Sequence, residues 1–281
     1  MGLPYAEPLG FLAFRFAIAA LILGILMFSI PGIRPDSLTL AECGHSAVVG
    51  ILIQAVYLGG VFSAISIGIS AGLSALIVGL QPLLTVILAT IWLRERITVI
   101  KMVGIFLGLL GLILVITERG NLDGSLSIQG LLLCVAALLG ITVGSLYQKR
   151  FCTEVSMLPA VAIQYIASVI VLLPLALATE TLQFDWTPTF IVSLTWLILV
   201  LSLGAVFMLM WLIRQGEAGT VATLFYLVPP VVALEAWILF EEKLSLLLFT
   251  GILLCIAGVA LVMRSPVNSS TSTSTSTSTS E

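Results

Sequence analysis

The sequence is short of charged residues. Asp, Glu, Lys and Arg make up only 9% of its 281 residues, whereas 60% are hydrophobic and the mean hydropathy is +1.23. Soluble domains have about 25% charged residues, because a surface in contact with water needs them. The shortage of charged residues excludes an ordinary soluble domain. It predicts a protein that crosses the lipid bilayer several times.

Residue types that build metal, disulfide or nucleic-acid sites are scarce as well. His45 is the one histidine, and the four cysteines contain no CxxC pair, so we expect no metal site and no disulfide framework. The net charge of −3 indicates no basic surface for nucleic acid. The chain also lacks an HExxH segment, a Ser/His pairing and a phosphate-binding loop. We therefore expect neither an enzyme nor a cofactor.

Apolar runs of membrane-spanning length fill most of the chain. A helix needs about 20 mostly apolar residues to cross the hydrocarbon core of a bilayer. The predicted spans are residues 8–28, 46–67, 72–93, 98–117, 128–148, 157–178, 189–211, 219–240 and 245–263. The sequence thus predicts an all-α integral membrane protein with nine transmembrane helices, followed by a disordered Ser/Thr tail over 265–281.

The distribution of Lys and Arg predicts the orientation, because cytoplasmic loops are rich in these residues. With a cytoplasmic C-terminus, strict alternation of the spans leaves Arg119 and Lys243 outside and Arg15 within a span. The basic residues then placed inside are Arg34, Arg94, Arg96, Lys101, Lys149, Arg150, Arg214 and Arg264. The same orientation puts the N-terminus outside, with the acidic residues Glu118, Asp123, Glu180, Asp185, Glu241 and Glu242.

The chain contains an internal repeat. Residues 71–116 align with residues 218–263 without a gap, at an offset of 147 residues (218 − 71). Shared Leu and Ile carry little information in an apolar chain, but shared Gly, Pro and Glu at fixed spacing indicate a duplication. Such pairs are Gly72/Gly219, Pro82/Pro229, Glu95/Glu242, Gly104/Gly251 and Gly111/Gly258.

The two copies are predicted to lie in opposite orientations, since the turn at Glu95 falls inside and the turn at Glu242 falls outside. We divide the chain into a first repeat, residues 1–118 with four helices, and a second repeat, residues 119–264 with five. Compared with the second repeat, the first lacks its opening helix. The expected fold is therefore a ten-helix, inverted-repeat bundle without its first helix, an arrangement typical of secondary transporters.

Several segments carry a family likeness. They are LQPLLTVILATIWLRERIT with GIFLGLLGLILV, YLVPPVVALEAWILFEEKLS with GILLCIAGVALV, and PLGFLAFRFAIAALIL near the start. The chain resembles the EamA-type transporters of the drug/metabolite transporter superfamily over its whole length except the tail. This resemblance implies two five-helix repeats, alternating access and movement of small metabolites, often export of amino acids or related solutes.

Two charged residues, Arg15 and Glu235, fall well inside predicted spans, where charge is costly and marks a functional site by default. Arg15 either receives a substrate carboxylate, or extends to the outer headgroups or pairs with an acid such as Glu7. Glu235 either binds a substrate ammonium or carries a coupling proton, or is a structural partner of Arg15 or a neutral, hydrogen-bonded acid.

Uncharged residues complete the candidate site. Polar and aromatic side chains within spans face the bundle interior, and the best candidates to line a cavity are Gln54, Tyr57, Gln81 and Tyr226. A single interhelical hydrogen bond is the alternative for each of them. Prolines open the backbone ladder of a helix, and Pro82, Pro229 and Pro230 are predicted to mark kinks or hinges.

The sequence therefore predicts a secondary transporter of a small metabolite, in the inner membrane if the source is bacterial. Two inverted repeats would rock around a central site between Arg15 and Glu235. The alternatives are an integral-membrane enzyme and a membrane protein that does not transport. Two GxxxG segments, Gly104–Gly108 and Gly140–Gly144, let helices approach closely, and we expect a monomer or a weak homodimer.

Overall fold

A computed structural model describes residues 5–29, 38–93, 98–122, 127–152, 155–205, 207–208 and 246–264. Every regular element among these residues is helical. The helices are α1 Pro8–Ser29, α2 Leu40–Gly50, π1 Ile51–Leu58, α3 Gly59–Ser66, α4 Ala71–Val78, α5 Gln81–Leu93, α6 Val99–Leu122, α7 Ile128–Phe151, α8 Met157–Thr179, α9 Pro188–Trp196, π2 Leu197–Gly204 and α10 Leu246–Arg264.

Hydroxyl side chains start four of these helices. Thr39 forms a capping box with Glu42 at α2, and Ser70, Ser127 and Thr187 each accept the backbone N–H three residues later. Such caps satisfy N–H groups that a first helical turn leaves without partners. They set the start of α2, α4, α7 and α9.

The membrane-protein prediction is confirmed. Five described helical segments, two of them composed of more than one element, are long and apolar enough to cross a membrane: Pro8–Ser29, Leu40–Ser66, Ala71–Leu88, Ile128–Phe151 and Met157–Thr179. Shorter apolar stretches cover Met102–Val115, Pro188–Gly204 and Phe249–Leu261. The predicted span 219–240 lies outside the described residues. The second helix begins earlier than predicted, at Leu40, because the Thr39 capping box stabilises its polar first turn.

One predicted span is interrupted. Residues 72–93 form two helices, α4 and α5, with a turn at Gly79 and Leu80. Within this turn the Leu80 N–H donates to Ile77 O at 3.2 Å, and the Leu83 N–H donates to Leu80 O at 2.9 Å. Pro82 is the second residue of α5, a position where its missing N–H costs no helical hydrogen bond.

Two π-helical segments interrupt otherwise α-helical spans. Both π1 and π2 are eight residues long. They begin 146 residues apart (197 − 51), close to the offset of the sequence repeat. Fewer than 1% of residues in soluble globular proteins are π-helical, and π-bulges are frequent at functional sites. Because the two π-helical segments occur at nearly equivalent positions of the sequence repeat, the side chains that contact them are candidates for a functional site.

The packing of α6 against α10 depends on glycine. A Cβ added at Gly111 would lie 2.5 Å from Gly251 O, and one added at Gly258 would lie 2.5 Å from Gly104 O. These contacts fix an antiparallel crossing in which backbone touches backbone. Between them the Cys255 thiol donates to Gly108 O at 3.5 Å, and these two positions are separated by the repeat offset of 147 residues.

The ends of the helices form two faces of different charge. The start of α1 and the end of α8 meet at one face, where Glu7 and Glu180 contact the opposite chain segment. The start of α2 and the end of α7 meet at the other face, through His45 and Tyr147, close in the chain to Lys149 and Arg150. From the Lys and Arg distribution, the face near Lys149 and Arg150 is predicted to be cytoplasmic.

Candidate functional site

Arg15 is the buried cation of the described structure. It lies two turns into the apolar helix α1 and is only 6% exposed. Its Nε donates to the hydroxyl of Ser202 at 3.1 Å, and its guanidinium carbon lies 5.5 Å from the centre of the Phe16 ring. The side chain therefore points into the bundle, and this geometry contradicts the alternative in which Arg15 extends to the outer headgroups.

Ser202 connects three helices at this point. It belongs to π2, and its carbonyl oxygen accepts a hydrogen bond from the Tyr165 hydroxyl of α8 at 2.9 Å. The Tyr165 ring stacks on Phe16 of α1, with centroids 5.3 Å apart. Ser202 thus binds Arg15 through its side chain and Tyr165 through its backbone. We call Arg15, Tyr165 and Ser202 the arginine site.

The arginine site has unused capacity to bind an anion. A guanidinium has five N–H donors in a planar fork, and in the described part of the chain Arg15 uses one of them, the Nε–H that Ser202 accepts. No carboxylate of the described residues pairs with it. A buried charge without an opposite charge is costly, and a carboxylate is the ligand whose shape matches the fork.

The same region of α8 contains a second buried polar group. Gln164, next to Tyr165, is only 4% exposed, and its Nε2 has no hydrogen-bond partner among the described residues. Buried polar atoms are nearly always paired, with water or a ligand if not with protein. On the next turn, the Ser168 hydroxyl lies 3.0 Å from Gly50 O and 2.6 Å from Gln164 O.

Three other predicted site residues lie on helices that do not form the arginine site. Gln54 and Tyr57 are half-buried in π1, which packs against α7 and α8. Gln81 opens α5, and its Nε2 donates to the Ser145 hydroxyl of α7 at 3.1 Å. None of these contacts joins Gln81 to the arginine site. The remaining predicted residues, Glu235, Tyr226, Pro229, Pro230, Glu95 and Glu242, lie outside the described residues.

Ser202 is the residue that the sequence prediction missed. It is the single polar side chain of the segment LILVLSLG, and a hydroxyl in such a run is a weak signal because serine satisfies itself within a helix. Tyr165 and Gln164 are recognisable as polar residues of a span, but their sequence gives no reason to rank them above Gln54 or Gln81. Their importance follows from what they contact.

Comparison with known proteins now gives the family. The profile of the EamA-like transporter family matches residues 1–117 and 128–264. The chain belongs to the EamA-like transporter family. It is therefore an integral membrane protein of the drug/metabolite transporter type, as its sequence predicts.

Two relatives and one solved structure illustrate the likeness. The uncharacterized transporter YvbV of Bacillus subtilis is 31% identical over 262 residues, which is 92% of this chain and 84% of YvbV. A probable amino-acid metabolite efflux pump of Escherichia coli is 28% identical over 221 residues, 75% of this chain and 73% of the pump. A crystal structure with 19% identity aligns with a TM-score of 0.59, over 91% of this chain and 87% of that one, and so shares the fold.

Proposed function

We propose that this EamA-like protein is a secondary transporter that exports a small metabolite bearing a carboxylate, such as an amino acid or a related solute. The observation that carries the proposal is the buried guanidinium of Arg15, bound through Nε to Ser202 and without a carboxylate partner among the described residues. The relative named a probable amino-acid metabolite efflux pump supports the substrate class and the direction.

The proposed mechanism is alternating access of two inverted repeats. Symmetric contacts support it: Gly104 meets Gly258, and Gly111 meets Gly251. Exchanging the two repeats converts one of these contacts into the other, which is the property of a two-fold axis in the membrane plane. The pairing of α1 with α8 is also consistent with a two-fold axis. These helices occupy corresponding positions in the two proposed repeats and run in opposite directions.

The proposed binding site lies where α1 and α8 pack. Arg15 would hold the substrate carboxylate, and Ser202 and Tyr165 would fix the direction of the guanidinium. Gln54, Tyr57, Gln81 and Tyr226 would line the cavity, and Glu235 would bind an ammonium group or a coupling proton. Pro82, Pro229 and Pro230 would allow the helices to bend. We place the protein in the plasma membrane, which is the inner membrane if the source is bacterial, with a cytoplasmic C-terminus and as a monomer or weak homodimer.

Transport in proteoliposomes tests this function. Efflux of radiolabelled amino acids and of their decarboxylated amines is compared in wild type, Arg15→Ala and Arg15→Lys, with Arg150→Ala as a matched control on an exposed cation at a helix end. We expect transport of carboxylates only, its loss in Arg15→Ala, partial loss in Arg15→Lys because ammonium lacks the fork, and no loss in Arg150→Ala. Full transport by correctly inserted Arg15→Ala refutes the site.

A further inference from the structure

The start of α1 and the end of α8 are tied together by two glutamates. Glu180, which follows α8, accepts hydrogen bonds from the N–H groups of Leu9 and Gly10 at 2.8 and 2.7 Å. Glu7, which precedes α1, accepts from the N–H groups of Thr181 and Leu182 at 2.7 and 2.9 Å. We call Glu7 and Glu180 the glutamate clamp.

The clamp is reciprocal, since each carboxylate satisfies backbone donors of the other segment. A carboxylate at the first turn of a helix also interacts favourably with the helix dipole, and hydrogen bonds to an ionised acceptor are stronger than neutral ones. The Thr181 hydroxyl adds a further bond to Glu7, at 3.0 Å. Glu7 and Glu180 are only half-buried, so water can replace these bonds when the segments separate.

Backbone and ring contacts close the same end of the molecule. Ala6 and Phe184 form an isolated antiparallel bridge, and the Asp185 N–H donates to Tyr5 O at 2.9 Å. Phe14 lies 5.7 Å from both Phe184 and Trp186, between ring centres. Along α1 the order is clamp, aromatic ring, then Arg15. The clamp and the rings therefore precede the arginine site at the face that the charge distribution predicts to be external.

We propose that the glutamate clamp is the external gate of the transporter, closed in this conformation. This inference rests on the proposed function, in which α1 belongs to the first repeat and α8 to the second. Alternating access moves these halves relative to each other, and the clamp is a polar, water-replaceable contact between them. Its closure bars the path from the external face to Arg15, and its opening exposes the arginine site to that face.

Thiol labelling tests the gate without needing a substrate. In a protein whose four native cysteines are replaced by alanine, Ser202→Cys reports access from the external face to a membrane-impermeant maleimide. We expect Glu7→Gln with Glu180→Gln to raise its labelling rate about tenfold, the change that corresponds to ~1.4 kcal/mol of lost gate stability. Glu42→Gln is the matched control. Glu42 also accepts a backbone N–H, that of Thr39 at 2.7 Å, but this bond lies within the first turn of α2 and does not connect the two proposed repeats.

A disulfide tests closure directly. Bridged strand residues have Cα atoms about 4.5–5.5 Å apart, within the range of a disulfide, so Ala6→Cys with Phe184→Cys should cross-link on oxidation. We expect oxidation of this pair to abolish labelling of the Ser202→Cys reporter. In a protein that keeps Ser202, we expect oxidation to abolish transport and reduction to restore it; each single cysteine controls for folding. Unchanged labelling in the Gln variants, or transport by the cross-linked protein, overturns the gate. Labelling that responds as expected in a protein that moves no carboxylate overturns the proposed function and leaves the gate standing.

Discussion

The crossing of α6 and α10 gives a prediction whose size follows from the structure. A methyl group at Gly111 would lie 2.5 Å from Gly251 O, 2.7 Å from Cys255 N and 2.8 Å from Cys255 Sγ. Two of these three atoms belong to the backbone of α10 and cannot rotate away. Ordinary contacts of a Cβ begin near 3.4 Å, so Gly111→Ala must push α10 away by about 0.9 Å.

The cost of this displacement can be compared with the gain from alanine. A gap of 0.5–1 Å forfeits about a quarter to a half of the dispersion attraction across an interface, and overpacking costs about 1–3 kcal/mol. Alanine in place of glycine stabilises a helix by about 1 kcal/mol. The steric cost is at least as large as this gain, and we expect Gly111→Ala to lower the free energy of unfolding by up to about 2 kcal/mol.

Unfolding in mixed micelles by SDS titration measures this change. Gly24→Ala is the matched control, because a Cβ at Gly24 in α1 has nothing within 4 Å and should stabilise the protein by about 0.5–1 kcal/mol. Gly258→Ala should resemble Gly111→Ala, since it meets Gly104 O and Gly108 N in the same way. If Gly111→Ala were as stable as Gly24→Ala, the close contact of α6 with α10 would be wrong.

Three further predictions concern other parts of the molecule. Thr187→Ala removes the cap of α9, whose hydroxyl accepts the Phe190 N–H, and should cost about 1 kcal/mol of unfolding free energy, whereas Thr187→Ser should restore it. Tyr147→Phe removes the 2.8 Å hydrogen bond to His45 and should lower the same free energy by about 0.5–1.5 kcal/mol; no loss on SDS titration would contradict the contact. An impermeant maleimide should label the partly exposed Cys43 and Cys152 in inverted vesicles but not in intact cells, while the buried Cys134 and Cys255 react after denaturation. Because burial raises the pKa of the Cys152 thiol above its ordinary 9.0, its labelling rate should still be rising at about pH 9.

The sequence alone predicts those helices that are determined by the hydrophobicity of their own residues and flanks. The spans 8–28, 128–148 and 157–178 agree with α1, α7 and α8 to within three residues at each end, because uniform hydrophobicity and a polar flank suffice to define them. Pro82 predicts a kink in the span 72–93, but the sequence does not show that the helix is interrupted before the proline, at Gly79 and Leu80. Nor were π1 and π2 predicted, because a π-helix differs from an α-helix in backbone pairing and not in residue type.

The candidate site was predictable only in part. Arg15 was identifiable because a cation in an apolar span is rare and costly. Its partners were not, since Ser202 lies 187 residues away in the sequence and contact between them depends on how α1 packs against π2. Glu7 and Glu180 individually resemble ordinary polar flanks of spans. Their reciprocal contacts arise only when the start of α1 meets the end of α8, two segments more than 170 residues apart in the sequence.

The contact between Gly108 and Cys255 has an evolutionary consequence. These positions correspond in the two repeats and also touch each other, as do the exchanged pairs of glycines on either side of them. A surface that contacts its own counterpart in this way is isologous, and it closes at two copies instead of extending into a filament. Under the proposed inverted-repeat arrangement, two separate single-repeat chains inserted in opposite directions would already possess this interface. Under the same proposal, a fusion of two such genes would need no new contact at the axis, and the two halves could then diverge, as glycine and cysteine differ at this position.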